Sequence, residues 1–225
     1  MVFRFLRGAD DERLESIEAK MQAMLTHDRH AFDLAMAALL GETGAAAVND
    51  EVRGTDRKVN QLEREIRREL IVHASVFGGI TSPTVLVYMS VVKDIERVGD
   101  YAKNLLDLAR DGADFGALPD AHEWRRLATE TSRLIIEAGD AFRTRAEAAS
   151  REIRARGDGY LGLFDERVSA LIREDGAQPQ AVPRALAYRY LKRVVAHLLN
   201  LVSAVLMPLD QLDYFDEDPE DRLGG

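Results

Sequence analysis

Two carboxylates stand four residues apart in the segment Lys93-Asp94-Ile95-Glu96-Arg97-Val98-Gly99-Asp100-Tyr101-Ala102-Lys103-Asn104. In a helix, positions i and i+4 are neighbours on one face, so Glu96 and Asp100 present four oxygens side by side. Like charges so placed destabilise an isolated helix by roughly 0.2–0.5 kcal/mol. Gly99 between them costs about 1 kcal/mol more than Ala. A second oxygen-rich stripe lies upstream, where Asp56, Asn60 and Glu63 follow one another at spacings of four and three. Carboxylate and amide oxygens suit hard or borderline cations such as Mg, Ca, Mn or Fe, and no His or Cys occupies these positions. The competing interpretation is a solvated acidic face, salt-bridged to Lys93, Arg97 and Lys103. Paired charges on exposed helices are ordinary, so spacing alone favours the solvated face.

The elements that position these residues are helices. Around Glu96 and Asp100, Tyr88, Val91, Ile95, Val98, Ala102, Leu105 and Ala109 recur at alternating steps of three and four, which marks a buried seam. Both acids fall off that seam. Upstream, Val59, Leu62, Ile66 and Leu70 form the corresponding seam, with Asp56, Asn60 and Glu63 beside it. Antiparallel neighbours would bring the two stripes together at the bundle surface.

Six helices are expected. The first runs from about Asp10 to Leu40 and stops at Gly41. The second follows Thr43 and extends to about Phe77. Gly78-Gly79 and Ser82-Pro83 then break the chain, and the third runs from Pro83 to about Arg110. Asp111–Pro119 reads as the central linker. A fourth helix is expected from Asp120 to Arg156, broken by Gly157-Asp158-Gly159. A shorter fifth covers Tyr160 to Glu174, and a sixth runs beyond Pro183 to Leu206. Residues 1–113 and 120–212 thus read as two tandem antiparallel three-helix units, followed by an acidic tail, Asp213–Gly225. Lys192-Arg193-Val194 through Asn200-Leu201 lines up with Glu96-Arg97-Val98 through Asn104-Leu105, and Asp165-Glu166-Arg167-Val168 with Asp56-Arg57-Lys58-Val59. The halves read as divergent copies.

Composition supports an all-helical class: 46% of the 225 residues are apolar, 31% are charged, and only 6 are Pro. A net charge of -9 argues against general nucleic-acid binding, which relies on basic residues that release phosphate counterions. The absence of Cys excludes disulfides, zinc–thiolate sites, iron–sulfur clusters and thiol catalysis, and is compatible with a reducing cytoplasm. No apolar run reaches the ~20 residues that span a membrane. The basic, apolar start Met1–Arg7 is too short for a signal peptide and is expected to pack on its own bundle.

Other chemistry-bearing residues have structural explanations. The five His residues, at 27, 30, 73, 122 and 197, form no Glu-x-x-His pair of the kind that di-metal oxidases draw from two helices. His27 and His30 are expected at the surface, His73 in the core, and His122-Glu123 at a helix start. No Gly-rich phosphate loop or nucleophile elbow occurs. Arg64, Arg67 and Arg68 read as a helix edge paired with Glu63, Glu65 and Glu69. Trp124, Tyr188 and Tyr190 read as packing residues.

The run Asp56-Arg57-Lys58-Val59-Asn60-Gln61-Leu62-Glu63-Arg64-Glu65-Ile66, followed by Asp94–Asn104, resembles the PhoU phosphate-signalling family. The resemblance implies two tandem three-helix bundles, with a Glu/Asp-x-x-x-Asp motif on the third helix of each repeat helping to bind a metal cluster. By position, Glu96 and Asp100 are the motif acids and Asp56 the acid of the preceding helix, with Asn60 and Glu63 as weaker additions. The resemblance turns the balance toward a functional cation site, holding Fe, Mn, Zn, Mg or Ca and no organic cofactor. In the second copy Lys192 replaces the Glu and Ala196 the Asp, so a second metal cluster looks lost. The fifth helix is also followed by a shorter path into the sixth, which marks the second repeat as eroded as a whole. The resemblance further implies a cytoplasmic, non-enzymatic regulator of phosphate uptake or signalling. It would contact a phosphate-transporter component or a sensor kinase, reach the membrane only peripherally through the transporter, and leave a homodimer open. The alternatives are a metal-dependent helical-bundle enzyme and a metal-free helical adaptor.

Overall fold

The structure, a computed structural model, describes residues 11–77, 82–174 and 178–208. The expectations for Met1–Arg7, Gly78-Gly79 and the tail Asp213–Gly225 lie outside the described residues. Within them the chain is all-helical. It comprises α1 (Asp11–Leu39), α2 (Ala45–Phe77), α3 (Ser82–Arg110), α4 (Ala121–Thr144), α5 (Glu147–Arg173) and α6 (Ala181–Leu206).

Helices α1, α2 and α3 pack on one another as the first unit, and α4, α5 and α6 as the second. The apolar seams face inward. On α3, Tyr88, Val91, Ile95, Val98, Ala102 and Leu105 are buried; on α2, so are Val59, Ile66 and Leu70. The α1–α2 connection turns on Gly41, whose φ of 70° suits a residue without a Cβ. Glu42 N–H donates back to Ala37 O at 2.9 Å. In the central linker, Phe115 N–H donates to Leu39 O at 2.7 Å. The Phe115 ring packs on Trp124 with centroids 4.3 Å apart.

The units lie side by side, α3 against α6 and α1 against α4. Asp94 of α3 is buried in this interface. It accepts hydrogen bonds from Asn200 Nδ2 at 3.0 Å and pairs with His197 Nδ1 at 2.8 Å. Tyr101 stacks on His197 at 5.8 Å. From α1, Gln22 Nε2 donates to Gly139 O at 2.8 Å and Arg29 Nε to Ser132 Oγ at 3.1 Å.

The fourth and fifth helices depart from expectation. The break falls at Arg145-Ala146, and α5 runs straight through Gly157-Asp158-Gly159 for 27 residues. Arg145 takes the left-handed conformation, φ 55°, and its N–H and that of Ala146 close back on Phe142 O and Ala141 O. A C-terminal cap of this kind usually falls to Gly; here Arg145 occupies it, and its guanidinium binds Glu18 and the Tyr88 hydroxyl across the interface. Gly157 serves packing: a Cβ there would press into the Leu199 side chain of α6. The second unit therefore has three full helices and is not eroded in length.

Candidate cation site

The two oxygen-rich stripes do meet. α2 and α3 are neighbours, and Lys103 Nζ bridges them, 2.7 Å from Asp56 Oδ1 and 2.8 Å from Asp100 Oδ1. Asn60 Nδ2 donates to the other Asp56 oxygen at 3.2 Å. Lys93 Nζ lies 2.7 Å from Glu96 Oε2, and Arg97 reaches Asp100 at 3.1 Å. Glu63 is set apart from this group. It pairs with Arg67 at 3.0 Å and meets the cluster only through Lys93, at 3.9 Å.

The acids do not form an open surface face. Glu96 is buried, with 8% of its surface exposed. Asp56 and Asp100 are mostly covered as well, at 17% and 25% of their side chains. Glu96 lies off the apolar seam of α3, as its spacing predicts, yet it is buried.

Asp28 of α1, which spacing did not single out, lies beneath the cluster. It sits on the helix's apolar face among Met21, Met24, Leu25, Ala31, Phe32 and Ala35 and is 0% exposed. Neither of its carboxylate oxygens has a hydrogen-bond partner among the described residues. It lies directly over Gly99, where a Cβ would collide with Asp28 Oδ1. Burial pushes the Asp28 carboxyl well above the usual carboxylate range; Glu96, Asp56 and Asp100 push it further, and Lys103 opposes them weakly. For Lys103, burial disfavours the ammonium. Its hydrogen bonds to Asp100 and Asp56 outweigh that and hold its pKa above the ordinary lysine value. The sequence signal for Asp28 was indirect: Gly99, a costly residue in mid-helix, is the space that Asp28 fills.

The donor set is that of a hard cation: four carboxylates from three helices, one fully buried without a partner. Among the described residues, however, no three acidic or imidazole groups stand together ready to ligate. Lys103 holds the bridging position, so a cation entering between Asp56 and Asp100 must displace its ammonium. His27 is part-buried and His30 is exposed and paired with Glu51 at 2.7 Å, so neither joins the set.

In the second unit the same positions carry another arrangement. Lys192 Nζ lies 2.5 Å from Asp165 Oδ2, with Arg189 at 3.4 Å from Oδ1, and Ala196 is buried. His73 is buried, Glu123 pairs with Arg167 at 3.0 Å, and Trp124 stacks on Tyr188 at 4.4 Å, so these residues have the structural roles expected of them.

Fold and site together define a class: an all-helical protein of two three-helix units, with an acid cluster inside the first. Residues 21–109, which include Asp28, Asp56, Glu96 and Asp100, match the family model described as the PhoU domain. The first unit is thus similar to a PhoU domain, and the chain is similar to PhoU proteins over most of its length. It is 28% identical over 209 residues to the phosphate-specific transport system accessory protein PhoU homolog of Deinococcus radiodurans, covering 85% of this chain and 95% of that protein. It is 26% identical over 206 residues to the like-named protein of Pseudomonas aeruginosa, covering 86% and 82%. The fold matches the crystal structure of PhoU from Pseudomonas aeruginosa with a TM-score of 0.76 at 22% identity, over 87% of this chain and 96% of that one.

Proposed function

We propose that this protein is a non-enzymatic regulator of phosphate uptake or phosphate-responsive signalling that acts by protein contact and carries a cation site on its first unit. The observation that carries the reading is the joint one. The unit that matches the PhoU domain holds the acid cluster, and relatives named as phosphate-transport accessory proteins align with 85% and 86% of the chain. The two domains of this reading are residues 1–113 and 120–212. The partner surfaces would be helix faces of a transporter component or a sensor kinase. A cytoplasmic location with peripheral membrane contact through that partner is in keeping with a chain in which no described helix is long and apolar enough to cross a membrane. Glu96, Asp100 and Asp56 would hold the cation, with Asn60 orienting Asp56 and Glu63 at the periphery. Bound there, an ion of Fe, Mn, Zn, Mg or Ca would tie α2 to α3 and fix the helix face offered to a partner.

One observation favours a metal-free adaptor as the second reading: Lys93, Arg97 and Lys103 already pair with the motif acids. Capture of the tagged full-length protein from phosphate-replete cells, with bound metals measured on the same material, separates the readings. The cation-dependent regulator predicts a transporter or kinase component together with bound metal. The adaptor predicts the component without metal. Recovery of neither a transport nor a signalling component overturns the regulatory reading.

A further inference from the structure

The end of the first unit where α2 gives way to α3 is unlike the rest of the surface. Of the eight large hydrophobic side chains left exposed among the described residues, four are here. They are Ile71, Val72 and Val76 on α2 and Leu86 on α3, exposed by 59%, 45%, 62% and 56%. Two ion pairs fix their level. Lys93 Nζ lies 3.9 Å from Glu63. About two turns further toward this end stand Leu86 on α3 and Ile71 on α2, at matching levels of neighbouring helices. Lys20 of α1 pairs with Glu69 of α2. Counted away from the α1–α2 connection, Arg13 and Val76 lie equally far beyond that pair.

Arginines accompany this apolar end. Arg13 and Arg68, with Ser16, Glu69 and Val72, line a groove of about 480 Å3 between α1 and α2. Arg64 stands one turn behind Arg68 on the same face of α2. All three arginines are exposed, and none makes an ion pair with another described residue. Other cations of the first unit are matched: Arg67 with Glu63, Arg53 with Asp107, Lys20 with Glu69. Of the nearby acids, Glu69 is thus paired, Glu65 accepts a hydrogen bond from Gln61 at 2.9 Å, and Glu15 stands two residues from Arg13, on another face of α1. In a chain of net charge -9, unpaired arginines beside exposed aliphatic side chains reverse the overall character locally.

An occupant of this end must offer anionic groups to the arginines and hydrocarbon to the aliphatic side chains. A helix that docks in a groove needs an apolar groove, and this one is lined mainly by charged and polar side chains. A bilayer containing anionic lipid has the required order, with phosphates in the headgroup layer and hydrocarbon beneath. From Arg68 to Val76 α2 rises about 12 Å at 1.5 Å per residue, close to the roughly 5–10 Å to which peripheral elements sink at a membrane surface.

We propose that the α2–α3 end of the first unit is a docking surface for an anionic lipid bilayer, with a headgroup phosphate between Arg13 and Arg68 and with Ile71, Val72, Val76 and Leu86 at the acyl boundary. The contact is direct and needs no membrane partner. It goes beyond the regulatory reading and holds or fails independently of it.

The test is flotation of the full-length protein with vesicles of phosphatidylcholine alone, or of phosphatidylcholine and phosphatidylglycerol in equal parts. Wild type is expected to float with the mixed vesicles and not with phosphatidylcholine alone, and to be released as salt is raised. Arg64→Gln/Arg68→Gln is expected to weaken partition into mixed vesicles about tenfold or more and to flatten its salt dependence. Ile71→Ser/Val76→Ser is expected to weaken partition about tenfold while the salt dependence stays. Both variants alter exposed residues only, and Met1–Arg7, also basic and apolar, is the same in every arm. Mixed-vesicle binding that is unchanged in either variant overturns the proposal. So does a wild type that ignores mixed vesicles. In that case, saturable binding of inorganic phosphate, lost in Arg64→Gln/Arg68→Gln, assigns the groove to free phosphate. A dimer that dissociates in Ile71→Ser/Val76→Ser assigns the apolar end to a second copy of the chain.

Discussion

The two units treat one position of the bundle in opposite ways. In each, the middle helix offers an aspartate to the third helix: Asp56 toward α3, Asp165 toward α6. In the second unit the third helix answers with Lys192, whose ammonium lies 2.5 Å from Asp165, and with Ala196, which adds no charge. One acid meets its own covalently attached cation. In the first unit α3 answers with Glu96 and Asp100, and α1 adds Asp28, so acids accumulate faster than the lysines and arginine that pair with them. The half-exposed Lys192–Asp165 pair contributes at most about 1 kcal/mol to stability. Its effect is on charge: the second unit sets one ammonium against one acid, whereas the first sets several acids together.

The largest effect should come from exchanging these arrangements. Glu96→Ala/Asp100→Ala is expected to lower divalent-cation affinity at least about 100-fold, since removing ligands should cost no less than the 10–100-fold typical of their outer-shell partners. Lys192→Glu/Ala196→Asp gives the second unit the acids of the first and is expected to raise the number of cations bound per chain, as measured by equilibrium dialysis with metal analysis. If the first variant binds as wild type does, the acids of α3 are not ligands. If the second gains nothing, the acid pair alone does not account for the difference between the units.

How far this contrast was legible in the sequence depends on the kind of signal each residue leaves. The six helices and their buried seams were readable because an apolar stripe repeats: Ile95, Val98 and Ala102 each predict the next. Glu96 and Asp100 were readable as a pair, and Lys192 and Ala196 as their replacements, because spacing carries across copies. Asp28 repeats nothing. One acid in an apolar stripe has no partner at helical spacing, and the residue that explains it, Gly99, lies on another helix. The break between α4 and α5 was misplaced for a related reason. Glycine normally signals a helix end, but Gly157 serves the close approach of α6, and the true end is capped by Arg145 in a conformation that its side-chain type does not announce.

That misplacement leads to a test of packing in the second unit. Gly157→Ala would gain helix propensity of up to about 1 kcal/mol if Gly157 were a plain interior glycine. Against Leu199 the added methyl overpacks, so a net loss of roughly 1–3 kcal/mol in urea unfolding is expected. Gly159, two residues on, has open space around it and should show the propensity gain instead. Equal stabilisation by both substitutions would mean that α5 and α6 are not in close contact at Leu199.

The smallest expected effect concerns one buried tyrosine in each unit. Tyr88 of α3 donates its hydroxyl hydrogen to Glu18 and accepts from Arg145 Nη2 at 2.7 Å. The Tyr188 hydroxyl is buried with no hydrogen-bond partner among the described residues, and its ring stacks on Trp124. Tyr88→Phe therefore removes bonds to charged groups and should cost about 1–3 kcal/mol at neutral pH, whereas Tyr188→Phe should change stability there by well under 1 kcal/mol. The contribution of Tyr188 also depends on pH. Burial, with Glu123 adding to it, pushes the Tyr188 phenol from 10.0 up to about 12. Between those values the unfolded chain releases the proton while the folded one keeps it. The folded state then binds more protons, and stability falls as pH rises. Tyr188→Phe removes that contribution, so its unfolding free energy should decline less steeply than that of wild type from pH 10 to 12. Parallel declines would place the Tyr188 hydroxyl in contact with water, and would make the core of the second unit looser around Trp124 than its stacked rings indicate.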